Sequence, residues 1–268
     1  MRVIRYADGA GRIHVGIGSG DETYYRAEGD LFSGLQATRE KADVQRLLAP
    51  VVPSMIWCIG QNYRQHSDEV GMKLPEFPVV FAKGPNAVQD PHQPILLPRF
   101  GRSDEVDYEG ELVTIIGKTC KNVSKEKALS YVAGYCCGND VSARDWQLKM
   151  GGTQWSRGKT FDTFAPLGPC LVTPESLANP SGLRIQTVLN GSVVQDSRTS
   201  DMIFDVATLI EFLSKSTTLM PGTAILTGTP EGVGMARKPP VWLKEGDEVS
   251  VVIERIGTLT NPVHAERV

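Results

Sequence analysis

The chain has 268 residues, 41% of them hydrophobic and 22% charged, with a net charge of −3 and a pI near 5.9. That is enough apolar material for a sizeable core, in one large domain or one with a small appendage. No basic field and no Lys/Arg cluster interleaved with aromatics is present, which excludes nucleic acid as an expected partner.

The first stretch, MRVIRYADGAGRIHVG, breaks its apolar residues with Arg2, Arg5, Asp8 and Arg12, so it reads neither as a signal sequence nor as a membrane span. No later run approaches the ~18 apolar residues that a span needs. Five cysteines without a C-x-x-C pair argue against a disulfide framework or a zinc ribbon and suit a reducing compartment. A cytoplasmic protein is expected, with no membrane partner. MRVIRYA, RIHVGIG and TYYRAE predict short strands, and REKADVQRLLAP a helix stopped by Pro50 and Pro53. Residues 1–52 are thus expected to form a small α+β unit before a larger domain at 53–268.

SMIWCIG predicts a strand. A polar stretch from Gln61 to Val70 follows, then a Pro- and Gly-rich loop to Arg102 that contains the strand-like PVVFAK. DYEGELVTIIGK predicts one strand, with Tyr108, Leu112, Thr114 and Ile116 on one face and Asp107, Glu109, Glu111, Val113 and Ile115 on the other. A helix is expected from Ser124 through KEKALSYVAGY to CCGNDVSARDWQ. RIQTVLNGSVVQD carries the Asn-Gly signal of a type I′ hairpin. Asp205 is placed to cap a helix whose apolar face is Val206, Leu209, Ile210 and Leu213, and DEVSVVIERIG alternates as a strand. Strands outnumber helices and most connections are too short for helical crossovers, so a β-rich α+β fold, a sandwich or roll, is expected.

Glu109 and Glu111, two apart on one strand face, lie about 6 to 7 Å from each other and repel by roughly 2.5 kcal/mol at an effective dielectric of ~20. Protonation of one, an intervening Lys or Arg, or a divalent cation would offset this; the plain alternative is a solvated strand end. Asp140 offers a third oxygen, and three carboxylates without His or Cys favour Mg²⁺ or Mn²⁺ over zinc. His66 and Glu69 are spaced to share a helical face as a proton-transfer pair, or are an ordinary loop histidine and its neighbour. SRGKTF has Thr153 where a phosphate-binding loop needs glycine, so Lys159 reads as an ammonium aimed at an anionic substrate, or as a surface lysine. GTPEGVG allows tight turns and close backbone approach to a ligand, though loops need glycine anyway.

Taken in order, IGQNYRQH with Glu69, DYEGELVTIIGK, NDVSARDWQ, GKTFDTFAPLGP and ILTGTPEGVG resemble the fumarylacetoacetate hydrolase family over about residues 54–256. DVSARDWQ, GKTFDTF and RKPPVWLKEGDEV are especially similar to its domain-containing protein 2 branch. The resemblance implies a mixed β-sandwich roll catalytic domain, one Mg²⁺ or Mn²⁺ per chain, and a homodimer. By position it assigns Glu109, Glu111 and Asp140 as metal ligands and His66 and Glu69 as a catalytic dyad on a lid. Lys159, Gln147 and Thr229 match residues that hold the substrate or its developing oxyanion. A further aspartate ligand of the larger eukaryotic hydrolase has no counterpart in CIGQNYRQH. The implied substrate is a short anionic 2-oxo acid, such as an acylpyruvate or oxaloacetate, reacting through an enolate. C–C bond hydrolysis is the first expectation, with oxaloacetate decarboxylation and keto–enol tautomerisation as alternatives. A non-catalytic, metal-stabilised binding module is the reading from another class.

Overall fold

Alternating segments at the N-terminus form β1 (Arg2–Ala7), β2 (Ile13–Gly18), β3 (Tyr24–Asp30), β4 (Gly34–Lys41) and β5 (Arg46–Leu48) in the computed structural model, which describes residues 1–18 and 23–267. The helix expected in REKADVQRLLAP is therefore corrected to strand. β4 pairs with β3 and β5 with β1, which places Leu48 in the core; sheet pairing overrides a weak local helix preference. Among the described residues the first 52 hold strands and no helix.

The chain continues through β6 (Ile56–Gly60), α1 (Arg64–Glu69), β7 (Val79–Lys83), β8 (Val88–Gln89), β9 (Ile95–Leu97), β10 (Val106–Asp107), β11 (Gly110–Ile116) and α2 (Lys125–Ala128). Next come β12 (Val132–Asn139), β13 (Ser142–Ala143), a π-helical turn at Asp145–Lys149, α3 (Ser156–Lys159), β14 (Ala165–Val172), β15 (Arg184–Leu189) and β16 (Ser192–Arg198). The last elements are α4 (Val206–Ser214), β17 (Ala224–Leu226), β18 (Glu248–Ile253) and β19 (Gly257–Ala265). A large sheet runs β4-β3-β2-β1-β14-β12-β11-β17-β6-β7, and a smaller one β16-β15-β18-β19-β9. This is the strand-rich α+β architecture expected.

Two further expectations change. The helix after Ser124 is one turn, and the Ser124 hydroxyl makes no capping bond to it. VAGYCCGN belongs to β12, because eight residues buried almost throughout between β11 and β14 gain more from sheet pairing than from helix. The strand expected over DYEGELVTIIGK is broken: Asp107 ends β10, which pairs with β13, and β11 begins at Gly110. Glu109 sits in the joint.

The hairpin and the cap hold. Asn190 and Gly191 have φ of 50° and 77°, as a type I′ turn requires, and Asp205 accepts a hydrogen bond from Thr208 N at 2.8 Å. Every residue of β11 is buried, with Leu112 and Ile116 in one apolar cluster and Val113 and Ile115 in another across the sheet. Glu111 continues the second stripe, so its carboxylate is carried inside by its neighbours' burial.

Candidate active site

Antiparallel pairing sets the acids. Gly110 lies opposite Asn139, so Asp140, just past the end of β12, meets the joint before β11, and its N–H donates to Glu109 O at 2.8 Å. Glu109, Glu111 and Asp140 are 6%, 1% and 0% exposed, and each offers an oxygen within 4.8 Å of the others'. The solvated strand end is excluded.

Three cations enter the cluster. Lys159, at the end of α3 and 1% exposed, places Nζ 2.7 Å from Glu109 Oε2 and 2.9 Å from Asp140 Oδ2. It is neither a surface lysine nor part of a phosphate loop. Arg144 Nη2 lies 2.8 Å from Asp107 Oδ2 and 2.7 Å from Glu109 Oε1, shared between them and aligned with neither. Its Nη1 donates to Gln147 Oε1 at 2.9 Å. Lys83, the last residue of β7, pairs with Asp140 Oδ1 and donates to Val141 O at 2.9 Å. Asp107 also accepts from Gly234 N at 2.7 Å and Met235 N at 3.0 Å; a side chain at Gly234 would collide with Val241 O.

Four buried carboxylates thus meet three buried cations, and the excess negative charge falls on Glu111. Among the described residues its one hydrogen bond is from Gly228 N at 2.7 Å, and no cation touches it. Burial first, then Asp140 and Glu109, push its carboxyl well above the usual range. Burial would also raise Glu109, but Lys159 and Arg144 outweigh it and hold that group at about 2. Burial would lower Lys159, yet Asp140 and Glu109 reverse this and raise it; burial lowers Lys83 despite Asp140. An all-oxygen donor set with one carboxylate lacking a cationic partner fits a hard divalent ion, which Glu109, Glu111 and Asp140 could hold.

His66 and Glu69 both lie on α1 and face each other, as their spacing suggested. His66 Nδ1 is 3.4 Å from Glu69 Oε2, and Gly232 N donates to both Glu69 oxygens at 3.0 and 3.1 Å. Burial opposes ionisation of Glu69, but the bonds from His66 and Gly232 prevail and its pKa falls. His66 lines a cavity of about 80 Å³ together with Glu109, Arg144, Gln147, Lys159 and Thr229. That is room for a handful of waters or one small acid. Its other walls include Ile59, Phe81, Trp155 and Met72. Thr229 Oγ1 donates to Gly110 O at 3.1 Å and accepts from Gln195 Nε2 at 2.9 Å, so its one proton is committed and a lone pair is left.

Of the eight residues singled out from the sequence, seven lie at this cavity or in the carboxylate cluster beside it; Glu69 does not line it and reaches it through His66. Asp107, Lys83, Arg144, Asn62 and Gln195 were not singled out. Arg144 lay within a quoted motif, and a lysine closing the apolar PVVFAK was a legible oddity. Asn62 also lay within a quoted motif, IGQNYRQH, while Gln195 stood only in the hairpin segment with no signal toward the site.

Comparison with known proteins agrees with this geometry. The pattern of the fumarylacetoacetate (FAA) hydrolase C-terminal domain matches residues 55–264. A Dictyostelium discoideum fumarylacetoacetate hydrolase domain-containing protein 2 homolog is 52% identical over 227 residues, covering 81% of this chain and 74% of that protein. Human mitochondrial oxaloacetate tautomerase FAHD2A is 47% identical over 217 residues, covering 81% and 68%. The crystal structure of a 2-hydroxyhepta-2,4-diene-1,7-dioate isomerase from Mycobacterium marinum superposes with a TM-score of 0.85 at 40% identity, covering 99% of each chain. With the family's domain spanning most of its length and relatives of the domain-containing protein 2 type at about half identity, the chain belongs to the fumarylacetoacetate hydrolase family of enzymes.

Proposed function

We propose that this protein is a Mg²⁺- or Mn²⁺-dependent enzyme that interconverts the keto and enol forms of a short 2-oxo acid of the oxaloacetate type. The observation that carries the reading is the buried triad of Glu109, Glu111 and Asp140, which meets through Glu109 a small cavity that His66 and Lys159 also line. The three carboxylates would hold the ion, which when bound supplies positive charge for the oxygen that gains negative charge as the substrate enolises. His66 takes the proton from C3 and delivers one to the oxygen, or the reverse. Glu69, fixed by the Gly232 amide, keeps the imidazole oriented and basic. Lys159 adds a positive charge beside the developing oxyanion, and Arg144 with Gln147 orients the carboxylate. Thr229, with only a lone pair left, is matched to an enol hydroxyl, which donates, better than to a ketone, which does not.

Tautomerisation moves ahead of C–C hydrolysis because the similar human protein is named an oxaloacetate tautomerase and the superposed structure an isomerase. Hydrolysis of an acylpyruvate stays second, since the same dyad could direct water at a distal carbonyl; decarboxylation of oxaloacetate is third. The reading includes a homodimer, a division of the chain near residue 52, and a cytoplasmic setting, for which five buried free cysteines are the support.

The test monitors enol absorbance and pyruvate release separately on oxaloacetate, with Mg²⁺ and with EDTA. Accelerated enol decay that EDTA abolishes, without pyruvate, is expected. Equal rates with and without EDTA would defeat the metal reading; stoichiometric pyruvate would replace tautomerisation with decarboxylation.

A further inference from the structure

The acids and cations do not fix themselves in place. Gln195 of β16 is 2% exposed and lies behind the peptide that joins Glu109 to Glu111. Its Oε1 accepts from Gly110 N at 3.0 Å and from the Thr187 hydroxyl at 2.6 Å. Its Nε2 donates to Thr229 Oγ1 at 2.9 Å and to Pro230 O at 2.8 Å. Both protons and both lone pairs of the carboxamide are in use. A peptide N–H only donates, so the Gly110 amide fixes which end of Gln195 faces Thr229.

On the other side of the same loop stands Asn62, which is fully buried. Its Nδ2 donates to Thr227 O at 2.7 Å and to Phe204 O at 2.9 Å, and its Oδ1 accepts from Phe204 N at 2.8 Å. Gly228 lies between the two grips with φ of +100°, and a Cβ there would stand 2.7 Å from Asn62 Cβ. Glycine is needed for both reasons. Its N–H is the single donor to Glu111 Oε2 among the described residues.

We propose that Gln195 and Asn62 are positioning residues for the candidate ion site, gripping Thr227–Pro230 from opposite sides so that the Gly228 amide stays aimed at Glu111 and Thr229 stays at the cavity. The proposal rests on the metal reading above. Neither carboxamide is a candidate ligand, and their effect passes entirely through the loop. A residue that only stabilises the fold would change the melting temperature and leave ion affinity alone; these two are expected to change affinity.

The experiment uses the neutral substitutions Gln195→Met and Asn62→Leu, which add no charge near the ion. The control is Asn261→Leu, a carboxamide 1% exposed whose Nδ2 binds Asp90 O and Gln93 O away from the cavity. Mg²⁺ and Mn²⁺ binding is measured by calorimetry on the full chain, beside thermal unfolding without metal. Gln195→Met and Asn62→Leu are expected to weaken binding about tenfold or more, while the control binds within about twofold of wild type at a comparable loss of melting temperature. If one of the two does not fold, the other reads the same grip. Wild-type binding with unchanged affinity in the variants would overturn this proposal alone. A wild-type protein that takes up neither ion would overturn it together with the metal reading.

Discussion

Two carboxylates, Asp8 at the turn between β1 and β2 and Glu111 in the central sheet, are both largely removed from solvent, yet their surroundings differ in kind. Asp8 accepts from Ala10 N, Arg12 N, Arg12 Nε and His14 Nε2, each at 2.9 Å. The His14 bond leads these in holding its carboxyl well below the ordinary range. Glu111 has one amide, no cation in contact, and two acidic neighbours that push it the other way. A carboxylate whose needs are met locally is part of the architecture; one left short of positive charge marks where something else is meant to bind.

The sharpest way to break this contrast is Glu111→Gln. Replacing a buried carboxyl that no cation contacts among the described residues is expected to leave the metal-free fold as stable or more stable. It should also reduce Mg²⁺-dependent turnover by about a thousandfold or more, as the ion loses a ligand. Paired melting curves and enol-decay rates check both halves, and a large loss of stability would place Glu111 with Asp8. Lys83→Met is expected to do the opposite. It removes one of the two cations on buried Asp140 and leaves Lys159 to serve both Asp140 and Glu109, which is expected to cost about 3 to 5 kcal/mol of unfolding free energy by denaturant titration.

His66→Ala leaves the acids untouched and removes only the proton carrier; a fall in kcat of about a hundredfold with Mg²⁺ affinity unchanged is expected. An unaltered kcat would remove the dyad from the mechanism. Asp8→Asn gives the smallest effect, read in pH dependence. The Asp8 pKa is depressed on folding, so the unfolded chain binds more protons between the two values. The stability it contributes is present above the ordinary value of 3.8 and fades as pH falls below it. Melting temperatures from pH 6 down to 2 should therefore decline less steeply in Asp8→Asn, and parallel curves would count against the assignment.

How much of this was legible in the sequence follows the range of the interactions. The Asn-Gly hairpin, the Asp205 cap and the alternation along β11 depend on near neighbours and could be read directly. The one-turn α2 and the strand character of VAGYCCGN could not, because β12 is held by partners on both sides that are distant in the chain. At the site, Glu109 and Glu111 declared themselves by their spacing. Lys83 reaches Asp140, and Gln195 the Gly110 peptide between the two glutamates, from strands that local pattern does not connect to them, 57 and 85 residues away in the chain.

β1 meets β14 through Arg2↔Val172 and Val3↔Leu171, and Met1 caps the next residue through its contacts with Thr173. Excising residues 1–48 would strip β14 of that partner and leave a row of bare amides and carbonyls along a strand two places from the acids. Such an edge recruits other chains, so a shortened version would be expected to precipitate before its chemistry could be assayed.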